Sequence, residues 1–130
     1  MGIREESIGA IDNNKVYTSY FARACRILPD SRLVSISLGT PANFNGAFYR
    51  DLNPSAELLS AYKSGKISDT ENEEWYNQQI LSKLNPEKVY NDLKGKVLLC
   101  YCGKDKFCHR HLVIKWLTES LGHNIQGGEI

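Results

Sequence analysis

The segment from Val97 to Leu121 limits the fold more than any other. The run Val97-Leu98-Leu99-Cys100-Tyr101-Cys102 is apolar and has the length of a buried strand. It enters a polar turn, Gly103-Lys104-Asp105-Lys106. Cys108-His109-Arg110 follows, and Leu112, Val113, Trp116, Leu117 and Leu121 then recur at helical spacing. A buried strand that passes through a loop into an amphipathic helix is the repeating unit of a parallel sheet with helices on both faces. Ligands of such sheets gather at the carboxyl ends of the strands. A helix amino end at that place favours an anion.

The rest of the chain alternates in the same way. Lys15 to Ser19 reads as a strand, and Phe21 to Leu28 as a helix stopped by Pro29. Arg32 to Leu38 is a second strand, ended by Gly39-Thr40-Pro41. Residues 41–54 form a long irregular loop whose Phe44, Phe48 and Tyr49 suit packing over a site. Ala56 to Lys63 is helical, with Pro54 in its first turn and Asn53 as its cap. Ser68-Asp69-Thr70-Glu71 is a capping box for a helix running to about Leu84, and Asn85-Pro86-Glu87 opens another that Gly95 closes. Residues 123–126 suit a last short strand. The expected architecture is α/β: a single compact Rossmann-like domain whose small, mainly parallel sheet of three to four strands is flanked by helices. Residues 1–13 are a flexible lead-in, 14–126 the domain and 127–130 a tail.

The 130 residues make one domain, with 42% hydrophobic and 24% charged residues, as in ordinary globular proteins. A net charge of +1 argues against general nucleic-acid binding and against a membrane-surface role. No apolar run is long enough to span a bilayer, and the first residues lack a signal-peptide core. The expected location is cytoplasmic, with the four cysteines reduced. No oligomeric state follows from the sequence.

The chemistry concentrates at the junction. Side chains alternate along a strand, so Leu98, Cys100 and Cys102 share one face, with Cys102 at the exit. A thiol at a helix amino end beside cations has a lowered pKa, which makes Cys108 a candidate nucleophile, although packing explains it equally well. His109 is the acid/base candidate. Arg110 offers a planar fork for phosphate or carboxylate, and Lys104 adds positive charge. Phe44, Phe48, Tyr49 or Tyr76 could stack on a ring. Cys100 and Cys25 read as core residues. Cys100, Cys102, Cys108 and His109 are donors that zinc accepts, but C-x-C-x5-C-H is not a finger spacing, so no cofactor is expected. A Cys102–Cys108 disulfide is a lesser alternative. No Walker loop or G-x-G-x-x-G fingerprint is present.

These residues resemble those of the domain-of-unknown-function 488 (DUF488) family. The resemblance rests on Leu98-Leu99-Cys100-Tyr101, on Phe107-Cys108-His109-Arg110 and on the helix carrying Trp116-Leu117. Upstream, Val16 to Phe21 resembles the family's opening strand, and Pro41, Tyr49 and Leu52-Asn53-Pro54 its central loop. Trp75-Tyr76 falls where the family has a Tyr-containing helix. The resemblance spans about residues 15–121. It implies a Rossmann-like domain and no particular substrate. The family usually has an acidic residue two positions after the strand cysteine, where this chain has Cys102. The Gly95-Lys96 to Cys108-His109 pattern is also similar to small phage and bacterial domains thought to handle nucleotide-like ligands.

The expected function is binding of a phosphorylated or nucleotide-like small molecule at residues 100–110, with hydrolysis or group transfer as the enzymatic form. The alternatives are a module that sequesters or senses such a ligand, and a structural protein-interaction domain.

Overall fold

The computed structural model describes residues 11–101 and 107–130. Five strands form one all-parallel sheet: β1 (Val16–Tyr20), β2 (Leu33–Ser35), β3 (Ala47–Phe48), β4 (Val97–Cys100) and β5 (Gln126–Glu129). Their spatial order is β3-β2-β4-β1-β5, so β4, the most buried run in the sequence, lies at the centre. The helices are α1 (Phe21–Ile27), α2 (Ala56–Lys63), α3 (Asp69–Gln79), α4 (Pro86–Leu93) and α5 (His109–Leu121). The protein is therefore an α/β domain with a parallel sheet between helical layers, with more strands than expected.

The two layers are unequal. Phe21, Ala24 and Leu28 cover one face together with Ile11, against Leu33, Val97 and Leu99. On the other face, residues of α2 to α5, among them Leu58, Tyr76, Val89 and Val113, pack on Val16, Val34 and Leu98. The alternation along β4 thus assigns Leu98 and Cys100 to the α5 side, and Val97, Leu99 and Tyr101 to the α1 side. None of the described helices is long and apolar enough to cross a membrane.

Local chemistry explains most boundaries. Ser68 Oγ accepts from the Glu71 amide at 3.1 Å while Glu71 Oε1 accepts from the Ser68 amide at 3.0 Å, so the capping box opens α3 as expected. That helix stops at Gln79 instead of reaching Leu84, and a 3-10 turn at Leu81–Lys83 continues the chain. Ser82 Oγ donates to the Gln78 carbonyl at 2.6 Å at that break. The cap of α2 is Ser55, whose Oγ accepts from the Leu58 amide at 3.1 Å. Asn53 ends the preceding 3-10 turn Arg50–Leu52 and cannot also cap a helix that starts three residues later.

Both chain ends of the expected domain need correction. Residues 127–130 are not a loose tail: β5 pairs in parallel with β1, and the Ile130 amide donates to the Thr18 carbonyl at 2.8 Å. The Gly127-Gly128 pair suits this strand. The β1–β5 register slips between Val16 and Tyr17, and a Cβ on Gly127 would lie 2.5 Å from the Tyr17 ring. At the other end, Ile11 is buried and the Asp12 amide donates to Tyr17 Oη at 2.9 Å, so the lead-in is anchored from residue 11. Residues 1–10 lie outside the described residues.

Candidate functional site

β4 ends at Cys100 and α5 begins immediately after Cys108, its N-cap. The Cys100 and Cys108 sulfurs are bonded to one another across this gap. This corrects the expectation of four reduced cysteines, and the pair is not the lesser alternative Cys102–Cys108 either. Cys102 lies outside the described residues, as does Lys104. Cys100, read from the sequence as a core residue, belongs to the junction.

Arg110 is wholly buried, at 0% exposure, on the α5 side of the sheet. Its Nη1 donates to Cys100 Sγ at 3.0 Å. Its Nε and Nη2 donate to the two carboxylate oxygens of Glu129 at 3.2 and 2.8 Å. The Tyr20 ring lies 5.9 Å from the guanidinium carbon, and the Thr18 hydroxyl also donates to Glu129. One guanidinium thus spans β4, β1 and β5. The fork expected to meet a ligand is closed by a carboxylate of the chain itself. Among the described residues it reaches the site through the Cys100 sulfur.

His109 is buried beside this pair. Asn72 Oδ1 faces its Nε2 at 2.8 Å, so Nε2 carries the proton and Nδ1 is left as the acceptor. The Tyr76 ring centroid is 4.6 Å away and that of Phe107 is 5.9 Å away. Burial lowers the imidazole pKa to about 4. A ring held neutral this firmly suits hydrogen bonding and packing better than proton uptake near pH 7. Asn72, which sequence reasoning did not select, is fully buried, and its Nδ2 has no hydrogen-bond partner among the described residues.

A pocket of about 100 Å³ opens over the junction, lined by Cys100, Cys108, His109, Tyr101, Lys63 and Pro54 among others. Larger clefts of about 270 and 460 Å³ run along α5, but neither is lined by a cysteine. The small pocket lies at the carboxyl ends of the strands and joins the reactive side chains, which makes it the candidate site.

The aromatic residues divide. Tyr101 is 57% exposed beside the pocket. Its ring contacts Phe21 at 4.9 Å, Phe21 contacts Phe44 at 5.4 Å, and Phe44 contacts Phe48 at 5.5 Å, with the Arg50 guanidinium 5.0 Å from the Phe48 centroid. This row contains Phe44 and Phe48 of the irregular loop and adds Tyr101. Tyr76 is fully buried and donates to the Leu52 carbonyl at 2.6 Å, so its ring supports His109 and presents no free face. Tyr49 donates to Asp92 Oδ2 at 2.6 Å, which ties it to α4. Cys25, expected in the core, is an exposed free thiol. No cluster of three or more His, Cys, Asp or Glu side chains able to hold a metal ion occurs among the described residues.

No curated protein and no solved structure matches this chain. A family model does: DUF488-N3a, described as the active DUF488-N3 subclade, matches residues 23–121. That stretch holds β2 to β4 and nearly all of α1 to α5, and so includes both sides of the junction. The chain belongs to the DUF488 family.

Proposed function

We propose that the protein acts on a small phosphorylated or nucleotide-like molecule at the β4–α5 junction, by hydrolysis or group transfer through a cysteine thiolate. The observation that carries this reading is the pocket lined by Cys100, Cys108 and His109, with Arg110 donating to Cys100 at 3.0 Å. A cation against a thiol favours the thiolate, which is the nucleophilic form. Cys100 therefore joins Cys108 and Cys102 as a nucleophile candidate, and Arg110 acts on the sulfur as well as on charge nearby.

At about 100 Å³ the pocket admits one head group, smaller than the 300–1,000 Å³ of whole-ligand sites. The remainder of a ligand would extend outward over Tyr101, toward the aromatic row, where a planar ring can stack. Lys63 and the positive end of the α5 dipole would meet its anionic group. Lys104, the cation that the sequence adds to Arg110, is proposed to contribute charge to the same group. A cytoplasmic setting would keep the cysteines as thiols. The description of the matched subclade as active supports a retained reaction. Sequestration without turnover is the second reading. It is favoured by Cys102, which stands where the family resemblance places an acidic residue.

A panel of nucleoside phosphates and pentose phosphates, incubated with reduced protein, tests both. Product from wild-type protein that disappears in Cys100→Ser supports turnover through the thiolate. A raised melting temperature without product supports sequestration. No product and no stabilisation anywhere in the panel would overturn both readings.

A further inference from the structure

We propose that Cys100 and Cys108 form a reversible dithiol–disulfide couple that exchanges with low-molecular-weight thiols, and that only its reduced form acts on the ligand. The last clause rests on the function proposed above; the couple itself does not.

The pair joins two elements that meet only in the folded protein, the end of β4 and the start of α5. Both sulfur-bearing residues are nearly closed to bulk water, at 6% and 3% exposure, yet both line the same pocket. A slender thiol can enter that space where a protein surface cannot. The two sulfurs also differ in electrostatic setting. Cys100 receives a hydrogen bond from a buried guanidinium at 3.0 Å. Cys108 caps a 13-residue helix whose amino end has no side-chain cap. Each setting stabilises a thiolate, and a thiolate that is stabilised is also a good leaving group. Cys25 shows that exposure alone does not confer this. It is open to solvent, yet burial of part of its side chain and the charge of Asp30 raise its pKa.

A small thiol loses its proton, and its thiolate attacks Cys108 Sγ. An S–S bond forms there, the Cys100–Cys108 bond breaks, and the electron pair stays on Cys100 beside Arg110. A second thiolate attacks the small molecule's own sulfur in this mixed disulfide. Its departure as the symmetric disulfide leaves Cys108 as a thiolate. Two small thiols are oxidised, the protein disulfide takes up two electrons, and the two released protons are available to the two protein sulfurs. In the oxidised form both sulfurs are held in the S–S bond and neither is a thiolate, so neither can attack a ligand and the site is off.

The test uses the full chain carrying Cys25→Ser. It is equilibrated in mixtures of reduced and oxidised glutathione, quenched in acid, alkylated and weighed. The expected result is loss of two alkylatable thiols together as the oxidised fraction rises, with Cys100 linked to Cys108 in the digest and full recovery on reduction. Thiols that stay alkylatable at every ratio, or a digest linking Cys102 to Cys108, would overturn the proposal. In the same reduced protein with Cys102→Ser added, the alkylation rate should reach half its maximum below the ordinary thiol value of about 8.5. A midpoint at or above that value removes the electrostatic argument and the proposal with it. None of these readouts needs a ligand. An intact couple without turnover therefore counts against the proposed reaction alone, and turnover without a couple counts against the switch alone.

Discussion

On the α1 side of the sheet, Phe21, Ala24 and Leu28 meet Leu33, Val97 and Leu99, and among the described residues the polar groups packed there are the neutral hydroxyls of Ser19, Ser35 and Tyr17. On the α5 side, Leu98, Val113 and Leu117 share their layer with a buried guanidinium, a carboxylate, an imidazole and the paired sulfurs. Apolar packing is tolerant of conditions, because it depends on area removed from water. A buried charge is stable only while its partner is present and ionised. The single-helix face therefore acts mainly as support for the fold. The four-helix face carries interactions that are costly to disturb and that place chemistry at the strand ends.

The sharpest way to break this contrast is Glu129→Ala. Arg110 would keep its charge, wholly buried, without the bidentate carboxylate. Breaking one side of such a pair costs about 3–5 kcal/mol, to be read from guanidinium unfolding of reduced protein. Replacing both partners, Arg110→Met with Glu129→Leu, should recover most of that loss, because neither charge is then stranded. A loss under about 1 kcal/mol in the single variant would mean that other groups satisfy Arg110 and that the α5 side is not electrostatically strained.

Leu99→Ala sets the reference on the opposite face. Leu99 is wholly buried in the α1-side cluster, so its truncation should cost about 3 kcal/mol through lost burial and a residual cavity. The cost should be the same at pH 7 and pH 5, since nothing in that cluster titrates there. A pH-dependent cost would show that the two faces are coupled through the sheet.

Acid should separate the faces further. The folded-state pKa of His109 is lowered by burial to about 4, against an ordinary value of 6.5. Between those values the unfolded chain binds the proton and the folded protein does not. Stability is thus complete above about pH 6.5 and is lost as the pH falls toward 4. One pKa unit corresponds to about 1.4 kcal/mol, which gives a loss of about 2 kcal/mol between pH 7 and pH 5. His109→Gln keeps a donor for Asn72 Oδ1 and removes the titration, so its unfolding free energy should be flatter over this range. An unchanged slope would assign the acid sensitivity to other groups.

Much of this was legible in residue order, and the exceptions share a cause. The capping box, the Pro86 start of α4 and the apolar run of β4 are local signals, and each marks where its element begins, though α3 and β4 end earlier than the run of residues suggests. Alternation along β4 also put Cys100 on the face that holds Arg110. β3 was missed because two residues are too few to alternate. The last strand is expected at 123–126, but His123–Ile125 is a 3-10 turn and β5 begins only at Gln126. Gly127-Gly128 reads as flexibility, whereas the Tyr17 ring requires a residue without a Cβ there. The Arg110–Glu129 pair depends on that strand, so the partner of the most important cation was hidden with it. The site residues Asn72 and Lys63 come from α3 and α2, and only tertiary packing brings them to the junction.

The smallest expected effect concerns the two classes of cysteine. Spacing suggested that Cys25 belongs to the core, but α1 is covered along one stripe only, through Phe21, Ala24 and Leu28, and Cys25 falls outside it. Cys25→Ser is a near-isosteric change at a side chain mostly open to solvent, so stability should change by no more than about 0.5 kcal/mol. Reactivity should run against exposure. In reduced protein at neutral pH, the open Cys25 should alkylate more slowly than the enclosed Cys100, because its pKa is raised while Arg110 holds the Cys100 sulfur. Site-resolved alkylation over time gives the order directly. If Cys25 reacts first, accessibility outweighs electrostatics, and the α5 side has no special claim to thiol chemistry.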